Sequence, residues 1–120
     1  MRTFFVLTAV AISLFVAGCA GDSTQQTSFE PGAGKQYVVY DFWAEWCGPC
    51  KAYAPVFEKL QDKYARPNVV FKRVNIDEDR STADKFKIRA IPTVVVTADG
   101  KEVGRTKGGA SESELAELLK

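Results

Sequence analysis

The 120-residue sequence contains no histidine, and that absence removes several chemistries at once. Ser-His-Asp and Cys-His nucleophilic sites are excluded, and the commonest protein ligand of zinc is missing. A strong net charge is also lacking: 16 Lys and Arg against 15 Asp and Glu give +1. Arg2 is the one charged residue among the first 18, so the rest of the chain carries 15 basic and 15 acidic residues. Such a balance leaves no electrostatic footprint for nucleic acid and no basic surface for a membrane. No apolar run is long enough to span a bilayer. The stretch from Phe4 to Ala17 has 14 residues, broken by Thr8 and Ser13, where a spanning helix needs about 20. Cysteine is scarce, with three in all, and no internal repeat is visible. What chemistry there is must come from Cys, Asp, Glu, Lys, Tyr or backbone groups. With 46% hydrophobic and 26% charged residues, the length and composition suit one globular domain.

Residues 1–18 have the form of a secretory signal: a positive start at Arg2, a short apolar core and small residues at the end. A buried N-terminal helix is the rival reading, and the polar, Gly-rich segment that follows at once argues against it. An uncleaved membrane anchor is the other alternative. The run Val16-Ala17-Gly18-Cys19 resembles the lipobox of bacterial lipoproteins. That resemblance implies cleavage before Cys19, a diacylglycerol on its sulfur, and anchoring through two or three acyl chains where one is marginal. Lipidation also accounts for an odd cysteine in an exported protein and leaves one pair. Ala20 after the cysteine, in place of Asp, points to the outer membrane. Residues 19–36 are rich in Gly, Ser, Thr and Gln and read as a flexible tether. As a coil it spans about 20–25 Å, holding a domain off a bilayer but near it.

Residues 37–120 read as one domain. Tyr37 to Trp43 is apolar on both alternating faces, as in a central buried strand. A helix is expected from about Cys50 to Tyr64, with Tyr53, Val56, Phe57, Leu60 and Tyr64 at helical spacing and a kink at Pro55. Asn68 to Asn75 reads as a second strand. Ser81 to Phe86 reads as a short helix with Ser81 as N-cap. Thr93 to Thr97 and Lys101 to Thr106 form a hairpin across Asp99-Gly100. Ser111-Glu112-Ser113-Glu114 matches a capping box opening a last helix, with Leu115, Leu118 and Leu119 facing inward. The order is βαβαββα.

Cys47 and Cys50 stand at the expected start of the first helix. Unpaired N–H groups and the partial positive charge there stabilise a thiolate. The first cysteine then becomes the attacker, and the second, a turn later and deeper, resolves the mixed disulfide. Pro49 fits the first helical turn, and Gly48 keeps the approach to the sulfurs open. Half a zinc site and a static bridge are the rivals. A four-ligand zinc site lacks both histidine and a second cysteine pair, which leaves only acidic ligands to complete one.

The surrounding residues carry a resemblance. Asp41-Phe42-Trp43-Ala44-Glu45-Trp46-Cys47-Gly48-Pro49-Cys50-Lys51 resembles the active-site segment of thioredoxins. Ala54-Pro55, Val74-Asn75-Ile76-Asp77, Ile88-Arg89-Ala90-Ile91-Pro92-Thr93 and Gly108-Gly109-Ala110 resemble further segments of that family, in the same order. The resemblance implies an α/β thioredoxin-like fold: a central mixed sheet of about four strands with flanking helices. It implies dithiol–disulfide exchange by Cys47 and Cys50. It makes Asp41 a buried carboxyl beneath Cys50 that moves the resolving thiol's proton, where the residues alone leave open a solvated strand-end aspartate. It gives Trp46 a shielding and client-contacting role and leaves Trp43 to packing. It makes Pro92 a cis-proline, against the usual trans preference. It offers Ile91, Pro92, Thr93 and Gly109 to an extended client chain, where Gly109 alone reads only as a tight-turn residue. No cofactor or metal is expected.

Three departures from the family are expected to matter. Only the tether precedes Tyr37, so the family's first strand and helix are expected to be missing, placing the strand at 69–75 at a sheet edge guarded by Lys72 and Arg73. Arg73 stands where many thioredoxins carry a lysine, and its permanent charge near Asp41 would favour the carboxylate. The lipobox places a motif usually found in the cytosol outside it. The expected activity is a monomeric reductase of disulfides in exported proteins, apocytochromes among them, fed by a transmembrane thiol carrier and held to a bacterial membrane. An oxidase or isomerase of exported proteins, and a non-catalytic docking module, are the alternatives.

Overall fold

The computed structural model describes residues 34–120. The expected signal at 1–18, the lipidation of Cys19 and all but the end of the tether lie outside the described residues. The elements are β1 (Tyr37–Trp43), α1 (Gly48–Tyr64), β2 (Val69–Asn75), α2 (Arg80–Lys85), β3 (Thr93–Ala98), β4 (Lys101–Lys107) and α3 (Glu112–Leu118). They form one mixed sheet in the order β2-β1-β3-β4. β1 and β2 run parallel, with α1 as their crossover, while β1–β3 and β3–β4 are antiparallel.

Local sequence explains most of these boundaries. All six residues of β3 (Thr-Val-Val-Val-Thr-Ala) are buried, as its interior place between β1 and β4 requires. Asp99 and Gly100 both take the left-handed conformation, with φ of 51° and 79°, which fits the twist of the β3–β4 hairpin. α3 opens on a complete capping box. The Ser111 hydroxyl accepts from the Glu114 N–H, and the Glu114 carboxylate accepts from the Ser111 N–H at 2.8 Å.

Two expectations change. α2 starts a residue early because Asp79, not Ser81, is its N-cap: the Asp79 carboxylate accepts from the Thr82 N–H at 3.1 Å and from both the Ser81 and Thr82 hydroxyls. A carboxylate has lone pairs for all three donors, where a serine hydroxyl does not. α1 starts at Gly48, so Pro49 lies in its first turn, and it continues through Pro55 as one 17-residue helix. Pro55 removes one backbone hydrogen bond without ending the helix.

Helices cover both faces of the sheet. On one face Tyr53, Phe57, Leu60 and Tyr64 of α1 and Leu115 of α3, with Leu119 behind it, pack on Tyr37, Val39, Val69, Val94 and Val96. On the other, Ala83 of α2 and Phe86 pack on Phe42, Val74 and Val95. Leu118 is only partly buried, and it occupies the space above Gly104, where a Cβ would stand 2.3 Å from its Cδ2. Val56, expected on the inner face, is 43% exposed. Its neighbour Phe57 is fully buried beside the rings of Tyr53 and Phe71. Phe57→Ala should therefore cost about 3–5 kcal/mol in urea unfolding, while Val56→Ala stays within about 0.5 kcal/mol.

Candidate active site

The end of β1 delivers the chain to the start of α1, and Cys47 is the N-cap of that helix. Its sulfur accepts a hydrogen bond from the Cys50 N–H at 3.2 Å. The Cys47 N–H donates to the Ala44 carbonyl, and the Cys47 carbonyl accepts from the Lys51 N–H. Cys47 and Cys50 are joined as a disulfide, with Cα atoms 5.3 Å apart. Both are largely buried, Cys47 at 5% exposure and Cys50 at 1%, so the attacker expected to be exposed is nearly covered. Gly48 and Pro49 beside it are exposed. No acidic side chain sits in the first turn of α1, so nothing there opposes a thiolate on Cys47.

Ala44 clusters with the two cysteines, and Trp43, Ile76 and Ile91 pack against this group. Trp46 stands out at 69% exposure, its indole N–H donating to Asp77 Oδ2 at 2.9 Å. Asp77 is held in turn by its own N–H on the Asn75 side chain. The Ile91–Pro92 peptide is cis. The Thr93 hydroxyl turns back to the Ala90 carbonyl at 2.6 Å, and the Gly108 N–H donates to the Pro92 carbonyl at 2.8 Å. That bond brings the 108–110 loop beside Pro92. Gly109, at φ +101°, lies against the ring of Tyr53. A groove of about 330 Å³ runs between Trp46, Ile76, Ile88, Arg89, Ala90 and Ile91. Its walls are apolar apart from Arg89. The structure thus gathers Trp46, Cys47, Cys50 and Ile91 around one patch, with Pro92, Thr93 and Gly109 adjoining.

Asp41 is fully buried, on the strand face shared with Tyr37 and Val39, beneath α1. Its register partner on β2 is Arg73. The Arg73 Nε donates to Asp41 Oδ2 at 3.0 Å, and its guanidinium lies over the Trp43 ring, 4.6 Å from the centroid. Trp43 therefore does more than pack: it supports the cation. Asp41 Oδ1 is buried with no hydrogen-bond partner among the described residues. Burial pushes the Asp41 carboxyl above its ordinary range, and Arg73 pulls it back down by hydrogen bonding and by charge. The net rise means that Asp41 favours the folded state while protonated and that this stability is lost as pH climbs through its raised value. The two roles in the site that sequence reasoning missed are those of Asp77, as partner of Trp46, and Tyr53, as partner of the 108–110 loop. Both arise from contacts between distant segments, and neither has a local sequence signal.

Removing Arg73 takes away both effects that lower the Asp41 pKa. Arg73→Gln should leave stability nearly unchanged near pH 4 and reduce it by about 1–3 kcal/mol at pH 8. Urea melts at the two pH values measure the difference, and carboxyl NMR should show Asp41 titrating higher than in the parent.

A family model described as Thioredoxin matches residues 22–120, beginning inside the segment expected to be a tether. Thioredoxin of Staphylococcus epidermidis is 44% identical over 98 residues, which cover 82% of this chain and 89% of that one. Thioredoxin of Coprinus comatus is 40% identical over 82 residues, 68% of this chain and 76% of that one. Among solved structures, Malassezia sympodialis thioredoxin superposes with a TM-score of 0.61 at 43% identity, covering 70% of this chain and 74% of that one. With the disulfide seated at the start of α1, these matches make the chain a member of the thioredoxin family of thiol–disulfide oxidoreductases.

Proposed function

We propose that the chain is a reductase of disulfides in exported proteins, held outside the bacterial cytoplasm by a lipid on Cys19. The observation that carries the exchange reaction is the Cys47 sulfur acting as N-cap of α1. With the pair reduced, the Cys50 N–H and the helix terminus stabilise a thiolate on Cys47. That thiolate attacks one sulfur of a client disulfide. A mixed disulfide forms, and the first client thiolate leaves and takes a proton. Cys50, deprotonated by Asp41, the buried carboxyl on the α1 face of the sheet, then attacks the Cys47 sulfur. The second client thiolate leaves, and the Cys47–Cys50 disulfide is restored. Two electrons have passed from the protein dithiol to the client.

The Gly48-Pro49 pair between the cysteines, as in reducing thioredoxins, supports the direction. Continued turnover outside the cytoplasm needs a thiol donor, and a transmembrane thiol carrier fits that need. Clients are exported proteins with accessible disulfides, including apocytochromes whose haem-binding cysteines must be reduced. The Val16-Ala17-Gly18-Cys19 run supports the anchor.

Cys50→Ala should trap clients on Cys47 as mixed disulfides, and mass spectrometry of the adducts should identify exported proteins. Recovery of cytosolic proteins alone would remove the compartment from the proposal. Cys19→Ser should shift the protein from the membrane to the soluble fraction. A reduction potential close to about −270 mV supports a reductase, whereas one near about −120 mV makes the chain an oxidant.

A further inference from the structure

Helical spacing accounts for Tyr53 only as a core residue, and a phenylalanine or leucine would fill that part. The structure gives its hydroxyl a separate task. Tyr53 lies on α1 one turn after Cys50, and its oxygen both donates to the Ala110 carbonyl and accepts from the Ala110 N–H, each at 3.0 Å. Ala110 is 2% exposed, so no water stands ready to replace either bond. The Tyr53 ring also underlies Gly109, where an added Cβ would stand 2.5 Å from the ring edge. From Gly108 the link continues, through its N–H, to the Pro92 carbonyl. One side chain therefore ties the helix that carries the cysteines to the two loops beside them.

We propose that Tyr53 is a positioning residue for disulfide exchange, fixing the 108–110 loop and with it Pro92 at the height where an extended client chain meets Cys47. This rests on the reading that clients lie along Ile91, Pro92, Thr93 and Gly109. Tyr53 itself touches no client. Burial raises its phenol to about 12, with the charges of Asp41 on β1 and Glu114 on α3 acting in the same sense. The hydroxyl accordingly keeps its proton, and its donor role, throughout the working pH range. Thiol chemistry at Cys47 depends on the N-terminal turn of α1, which Tyr53 does not enter. Releasing the loop should then weaken client binding and spare the sulfur.

Tyr53→Phe keeps the ring and deletes only the hydroxyl. The full chain and this variant are compared on insulin, a protein disulfide, and on 5,5′-dithiobis(2-nitrobenzoate), a small disulfide with no chain to lie along the loops. The expected result is a five- to tenfold higher KM for insulin, a kcat within twofold, and an unchanged rate with the small disulfide. Hydrogen exchange at the Ala110 amide should speed up at least tenfold while amides of β3 keep their protection. Equal losses on both substrates, or an unchanged insulin KM, overturn the proposal. Ile91→Ser separates this failure from failure of the underlying reading. If Ile91→Ser raises the insulin KM and Tyr53→Phe does not, only the role of Tyr53 falls. If neither does, clients do not lie along these loops.

Discussion

At the start of α1 a sulfur atom takes the place that a hydroxyl or carboxylate usually fills. The Cys50 N–H points at Cys47 Sγ, and the first turn of the helix is closed by the group that will react. Capping and activation are the same interaction, because a donor that satisfies a helix end also stabilises negative charge on the acceptor. The rest of the molecule serves to hold that turn in place. β1 feeds it from the sheet, Phe57 and Leu60 bolt the helix down, and Ile76 and Ile91 pack against the cysteine cluster. Small movements of α1 would alter nucleophile, resolving thiol and N-cap together.

On the α1 face of β1 lies a second, less comfortable arrangement. A carboxyl group is buried with one oxygen paired to Arg73 and the other unpaired. Burial and the guanidinium pull its proton affinity in opposite directions, and burial wins. The proposed proton transfer at Cys50 would need a group near balance rather than one locked in either state. Arginine at this position tightens the ionised side of that balance more than a lysine would, since its guanidinium lies over Trp43 and cannot lose its charge.

Much of this was legible in the residues. The capping box at Ser111, the left-handed Asp99-Gly100 corner and the Val-rich β3 are local signals, each with a physical cause acting within a few positions. The cysteine pair at a helix start was legible likewise, and its setting through the resemblance of the flanking segments to thioredoxins. Other features depended on segments meeting in space. Asp79 displaced Ser81 as a cap because one carboxylate can serve three donors, a competition that residue preference does not rank. Val56 fits the helical repeat, but the buried stripe of α1 runs through Cys50, Tyr53, Phe57, Leu60 and Tyr64 and leaves it outside. The bonds from Tyr53 to Ala110 and from Trp46 to Asp77 join residues 57 and 31 positions apart. No spacing rule reaches that far.

β2 forms one rim of the sheet of described residues, and Arg73 reaches inward from that rim with its side chain still 31% exposed. Among the described residues, the most deeply buried acid is thus paired with a cation rooted on that rim. The guanidinium keeps contact with solvent while its Nε holds a carboxyl that has none. A carboxyl that touches no solvent is thereby coupled to it through its partner, whose exposed side salt can screen.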